Sequence, residues 1–140
     1  MIWFTDRDAD EAANHLCDKH LRPAIQFARK AVTEARENRT QQTCPYIRWA
    51  CASRQNLKWT IDHAYGASQE LYLRFRKCGR VEDIEFLLDA SAFVGKIIDA
   101  PIPRTPFPDS MDKVRHRYRT EISPKSKWTK RWPPDWIAEY

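Results

Sequence analysis

Three stretches of this chain bring their apolar residues round with the period of an α-helix, and none alternates them as a strand does. In the first, Ile25, Ala28, Ala31 or Val32, and Ala35 share a face. In the second, Leu57, Ile61, Ala64, Tyr65, Ser68, Leu71, Tyr72 and Phe75 form a stripe. The third, with Ile84, Leu87, Leu88, Ser91, Val94, Ile97 and Ile98, is the most apolar. Only three glycines in 140 residues leave little material for hairpin turns. The pattern predicts an all-α fold in which residues 1–140 make one domain. That domain is read as a compact bundle of three main helices plus short ones, wrapped by an extended Pro/Trp-rich C-terminal strap.

Local signals place the ends. Asp6 or Asp8 can cap a first helix, with Asp10 and Glu11 in its first turn. Pro23 is expected to kink that helix or split it after His20, because proline lacks an N–H and crowds the preceding turn. Residues 38–43 read as a polar loop. Pro45 suits the first turn of a short helix to Cys51, and Ser53 can cap the next. Gly79 is placed to end the second main helix. Pro101, Pro103, Pro106 and Pro108 enforce extended backbone, and a short helix is predicted from Ser110 to about Ile122.

Charge is segregated along the chain. Residues 1–18 hold five acids and one base, and 81–100 the same; 19–39 hold six bases and two acids, 40–80 seven and two, 110–140 eight and four. Positive charge gathered into two helical stretches and a tail is the footprint of a polyanion binder. No apolar run approaches the length of a membrane span, and the first residues lack the form of an export signal. The four cysteines, Cys17, Cys44, Cys51 and Cys78, have no scaffold rhythm and read as reduced thiols, which places the chain in the cytoplasm. Cys17 and His20 have a ligand-like spacing, but no second pair follows, so no metal and no cofactor are expected.

Three clusters could carry function. In Leu16-Cys17-Asp18-Lys19-His20-Leu21, His20 is the side chain able to exchange a proton near neutral pH. Next, Arg48, Arg54 and Lys58 interleave with Trp49 and Trp59, a combination that grips phosphates and stacks bases, although core burial of both tryptophans is the simpler reading. In the tail, Lys127, Lys130 and Arg131 alternate with Trp128, Trp132 and Trp136; the tryptophans are expected to plug the bundle while the lysines stay wet.

In this order the clusters resemble the pyrimidine-dimer DNA glycosylase and AP-lyase family (endonuclease V type), small all-α repair enzymes of phages and bacteria. The matching pieces are Leu16-x-Asp18-x-His20-Leu21, Pro45-x-x-x-Trp49 with Asn56 and Trp59, and Lys127-Trp128-Thr129-Lys130-Arg131 with Pro134-Asp135-Trp136. A branch of uncharacterised phage proteins, with Cys-Asp-Lys-His near the start and a Trp-Thr-Lys-Arg tail, is more similar still.

The resemblance implies DNA binding and an amine nucleophile that displaces a damaged or modified base, forms a Schiff base and cuts the strand by β-elimination. It casts Met1 as the nucleophile, with Lys19 or Lys30 as alternatives, His20 as the organiser of the site, and Asp18 as a stand-in acid. Arg22, Arg29, Lys30, Arg48, Arg54, Lys58, Lys127 and Lys130 become the DNA contacts, the partner double-stranded DNA, and the chain a monomer in the host cytoplasm if a phage encodes it. Two positions depart from the family pattern: Phe27 stands where the family has its catalytic glutamate, and bulky Ile2 predicts that Met1 is retained. Those departures suit an alternative, a catalytically silent module binding DNA or a host protein. A metal nuclease built on Asp6, Asp8 and Asp18 is weaker, since these acids more simply start a helix.

Overall fold

The computed structural model describes residues 2–37, 44–77, 80–94, 107–122 and 126–137. Six α-helices and no strand appear among them: α1 (Ala9–Asn14), α2 (Leu21–Arg36), α3 (Pro45–Cys51), α4 (Arg54–Phe75), α5 (Val81–Val94) and α6 (Met111–Glu121), with 3-10 turns at Asp18–His20 and Asp135–Ile137. The all-α bundle read from the periodicity is the fold. α4 is its axis, with α1, α2, α3 and α5 packed around it.

The caps fall where short polar residues allow them. Asp8, Ser53 and Ser110 each accept a backbone N–H from three residues on, at the starts of α1, α4 and α6. Pro45 opens α3 at a position where no N–H is needed. The first helix, however, ends at Asn14, well before His20, and Pro23 kinks nothing. It stands in the first turn of α2, where amide donors have no intrahelical partner to lose.

The core runs from Ile2 to Tyr118 in one cluster. Phe4 packs on Trp59 (ring centroids 4.6 Å apart) and stacks on Phe107 (4.9 Å), and Trp49 closes the group edge-on. Trp49 and Trp59 are therefore core residues, unavailable for stacking bases. Gly66 lets α1 approach α4 closely, since a Cβ there would lie 3.1 Å from the Ala13 Cβ.

The second stripe needs correcting. Leu57, Ile61, Ala64, Ser68 and Leu71 are buried, but Tyr65, Tyr72 and Phe75 face solvent, as does Leu88 of α5. With helices on several sides, α4 buries small residues and a Trp59–His63–Glu70–Arg74 row that periodicity assigned to its wet side. In the tail, Trp128, Trp136 and Ile137 pack against the core while Trp132 stays 93% exposed. The loop at 38–43, Gly79, Ile97, Ile98, Pro101, Pro103 and Pro106 lie outside the described residues.

His63 shows what the core demands of a polar group. Its ring lies 5.0 Å from Trp59, and Nδ1 sits 3.2 Å from the Ala9 carbonyl, which can only accept. Nδ1 therefore carries the proton and Nε2 is buried without a partner. Burial pushes the pKa from 6.5 down to about 4. Between these values the unfolded chain takes up a proton that the native one refuses. Stability is thus complete above pH 6.5 and falls as pH drops toward 4, by on the order of 3 kcal/mol from this residue. His63→Asn, which can keep a donor to Ala9, is expected to lose much less stability than the wild type between pH 7 and 4.5 in urea titrations; equal losses would refute the assignment.

Candidate functional site

The site expected around His20 is built on a buried arginine. Arg74, near the end of α4, is 1% exposed. Its NH1 donates to the Leu16 carbonyl (2.7 Å) and to Asp18 (3.0 Å), and its NH2 to the Asn14 carbonyl (3.2 Å). The carbonyls at the end of α1, orphaned by helix geometry, thereby gain partners. Nε and NH2 also reach Glu70, one turn back on α4, which in turn accepts a two-point contact from Arg131 at 2.9 and 2.7 Å. A planar guanidinium with five donors is the group that can serve so many acceptors at once.

Asp18 closes the knot. Its carboxylate accepts from Thr129 through the amide (3.0 Å) and the hydroxyl (2.6 Å), while its own N–H donates to the Lys127 carbonyl. Trp128 Nε1 donates to the His15 carbonyl. The tail from 127 to 131 is thus tied to the turn between α1 and α2. Both oxygens of Asp18 are engaged, so the expected stand-in acid acts as a bracket. Phe27, at the family's glutamate position, is buried.

His20 hangs from the same bracket. Tyr118 Oη accepts the Cys17 N–H at 2.8 Å, which leaves its proton for His20 Nδ1, also at 2.8 Å. Burial pushes the Tyr118 phenol far above its usual range, so it stays protonated. Burial, then Lys19, pushes the His20 pKa down. The ring is therefore neutral near pH 7 with its proton on Nε2, an atom that has no described partner and is not among the buried orphans. It offers a hydrogen-bond donor to solvent. Trp3 lies 5.9 Å away, ring to ring, which sets the buried segment from Ile2 to Thr5 beside His20. Met1 lies outside the described residues. Cys17 Sγ comes within 3.4 Å of His20 Nδ1, and no group of three or more metal-ligating side chains gathers among the described residues.

The expected phosphate contacts divide into two sets. Arg29 pairs with Asp83 at 2.6 Å above the Phe86 ring, Arg54 donates to the Val94 carbonyl, and Lys58 pairs with Asp62 at 2.5 Å. Their charge is spent on packing. Lys19, Arg22, Lys30, Arg48, Lys127 and Lys130 are exposed. Among the described residues no carboxylate lies within ion-pair distance of Lys19, Arg22 or Lys30. Sequence reasoning missed Tyr118, Arg74, Glu70 and Trp3; only the four-residue spacing of Glu70 and Arg74 hinted at a pair. No family model, curated protein or solved structure matches the chain. No helix among the described residues is long and apolar enough to cross a membrane.

Glu70 and Arg131 separate the buried part of this knot from its rim. Glu70→Gln removes one of the two carboxylates that balance buried Arg74, leaving Asp18 alone, and is expected to cost about 3 kcal/mol. Arg131→Ala removes a side chain that is 38% exposed and is expected to cost about 1 kcal/mol or less. Urea unfolding of the two variants measures the contrast; equal costs would contradict it.

Proposed function

We propose that this chain binds double-stranded DNA through the solvent edge of α2 and the adjoining tail, and acts on a damaged or modified nucleotide beside His20 as a glycosylase with AP-lyase activity. The supporting observation is the set of cations left over by the fold. Arg22 and Lys30 stand two helical turns apart, about 12 Å, on the wet side of α2. Lys19 precedes them in the adjoining turn, and Lys127 is joined to that turn by the Asp18–Lys127 backbone bond. Unpaired cations along an edge are what phosphate binding needs. The donor on His20 Nε2 suits an anionic or carbonyl oxygen of the substrate, a holding role and not that of a base.

In this reading an amine attacks C1′ of the sugar, the base departs with the electrons of the glycosidic bond, and the C1′–O4′ bond then opens, O4′ taking a proton from the amine, to leave an iminium at C1′. Loss of a C2′ proton from the resulting iminium then expels the 3′ phosphate. The resemblance gives the attack to the Met1 amine, with Lys19, next to His20 in the chain, or Lys30 as the alternative. Work on DNA puts the chain in the cytoplasm, that of the host if a phage encodes it. One second reading has its own support: Phe27 is buried and Asp18 is engaged on both oxygens, so neither serves His20 as a free acid, as in a silent module that binds DNA or a host protein.

Binding to a duplex is expected to weaken steeply with salt, and Arg22→Ala or Lys127→Ala to lower the slope of log K against log salt by about 0.9 each. Borohydride is expected to trap a covalent complex with abasic-site DNA in the wild type and less of it in Lys19→Ala. Salt-dependent binding without trapping would select the silent DNA-binding module. Absence of salt-dependent binding would overturn the DNA reading.

A further inference from the structure

The exposed face of α4 has no part in the DNA reading. Asp62, Tyr65, Gln69 and Tyr72 follow one another at spacings of three and four residues, the spacing of a seam between two packed helices, and Arg76, the left-handed residue just past the end of α4, stands 6.0 Å from the Tyr72 ring. Tyr65, Tyr72 and Leu73 are 41%, 49% and 41% exposed. A cleft of about 390 Å³ runs between these residues and Ile84 of α5. Val81 and Leu88, exposed and on the same side of α5 as Ile84 by their spacing, widen the apolar surface. Such a continuous patch marks an interaction surface.

Charge at its two ends says what fits there. The cleft continues past Tyr65 and Gln69 to Asp8, Asp10 and Asp62. Among the described residues Lys58 is the one cation paired with these three carboxylates. The other end carries Arg76, with exposed Lys77 and Arg80 following. Asp62 and Arg76 each lie seven residues from Gln69, so a two-fold axis through Gln69 sets each acidic end against a basic end. The same axis faces Tyr65 with Leu73 of the other copy. Parallel pairing would put Asp62 against Asp62 and Arg76 against Arg76, which costs energy at both ends. We propose that the chain forms a homodimer by antiparallel packing of this α4 face against a second copy, in place of the monomer expected from the sequence. The interface is isologous, the commonest form in soluble oligomers. It does not depend on DNA binding.

The test uses the full chain without DNA. Sedimentation equilibrium is expected to give twice the 16.6 kDa chain mass at roughly 100 μM, falling toward one chain on dilution or in high salt. Arg76→Asp and Asp62→Arg are each expected to weaken association at least about tenfold. The double variant, which exchanges the charges, is expected to restore it. Aspartate tolerates the left-handed backbone of residue 76 (φ 56°), so Arg76→Asp should fold, and circular dichroism checks this. Gln69→Cys, on the axis, is expected to form a disulfide-linked dimer under mild oxidation that the wild type does not form. A wild type monomeric at that concentration, or a dimer indifferent to both charge reversals with no link through residue 69, would overturn the proposal.

Discussion

A buried guanidinium organises this molecule. Arg74 lies where α1 ends and the turn to α2 begins, and it supplies hydrogen bonds that both need. Removing an arginine from water is costly unless every donor finds an acceptor. Here carbonyls of Asn14 and Leu16 and the carboxylates of Asp18 and Glu70 share that task. The two carboxylates then hold the tail through Thr129 and Arg131. One desolvated cation thus fixes segments more than a hundred residues apart in the chain, and His20 inherits its place from that arrangement through Cys17 and Tyr118.

The same arrangement sorts the charges. Acids that composition assigned to a surface are drawn into pairs: Asp83 with Arg29, Asp89 with Arg36, Asp109 with Arg117. The bases left exposed include Lys19, Arg22 and Lys30 at the α2 edge and Lys127 in the tail beside Asp18. A basic sequence becomes a basic surface only where the fold withholds carboxylates, and that is why the edge of α2, and not the whole chain, carries the DNA reading. Asp18 illustrates the opposite case: a motif acid that the resemblance offered as a stand-in becomes, with Thr129 on both oxygens and Arg74 beside it, a structural anchor.

α4 gives the measure of what could be read in advance. Its start was legible, because Ser53 caps it by a bond to Asn56 three residues on. The apolar period carried it to Phe75, but its end, placed at Gly79, comes earlier, where Arg76 takes the left-handed cap. Its buried face was not legible, because a helix with neighbours on several sides hides small and polar residues as well as large apolar ones. Gly66 and Ala67 are buried because α1 and α2 come close. Tyr65 and Tyr72 are left outside although their spacing is that of a core stripe. Lys58 read as a phosphate contact although Asp62, four residues on along the same helix, stood where it could hold it.

Helix positions, caps and the all-α class were decided by the order of residues alone, since the interactions that set them reach no further than four residues along the chain. The partners of Asp18, Arg29, Arg74 and His20 were decided by packing. Apart from Glu70, one turn from Arg74, and Cys17, three residues before His20, the side-chain partners described for them across the fold lie between 54 and 111 residues away. A residue's type says that it must find such a partner when it is buried. Only the tertiary arrangement, through the balance of desolvation against hydrogen bonding at each site, determines which partner it is.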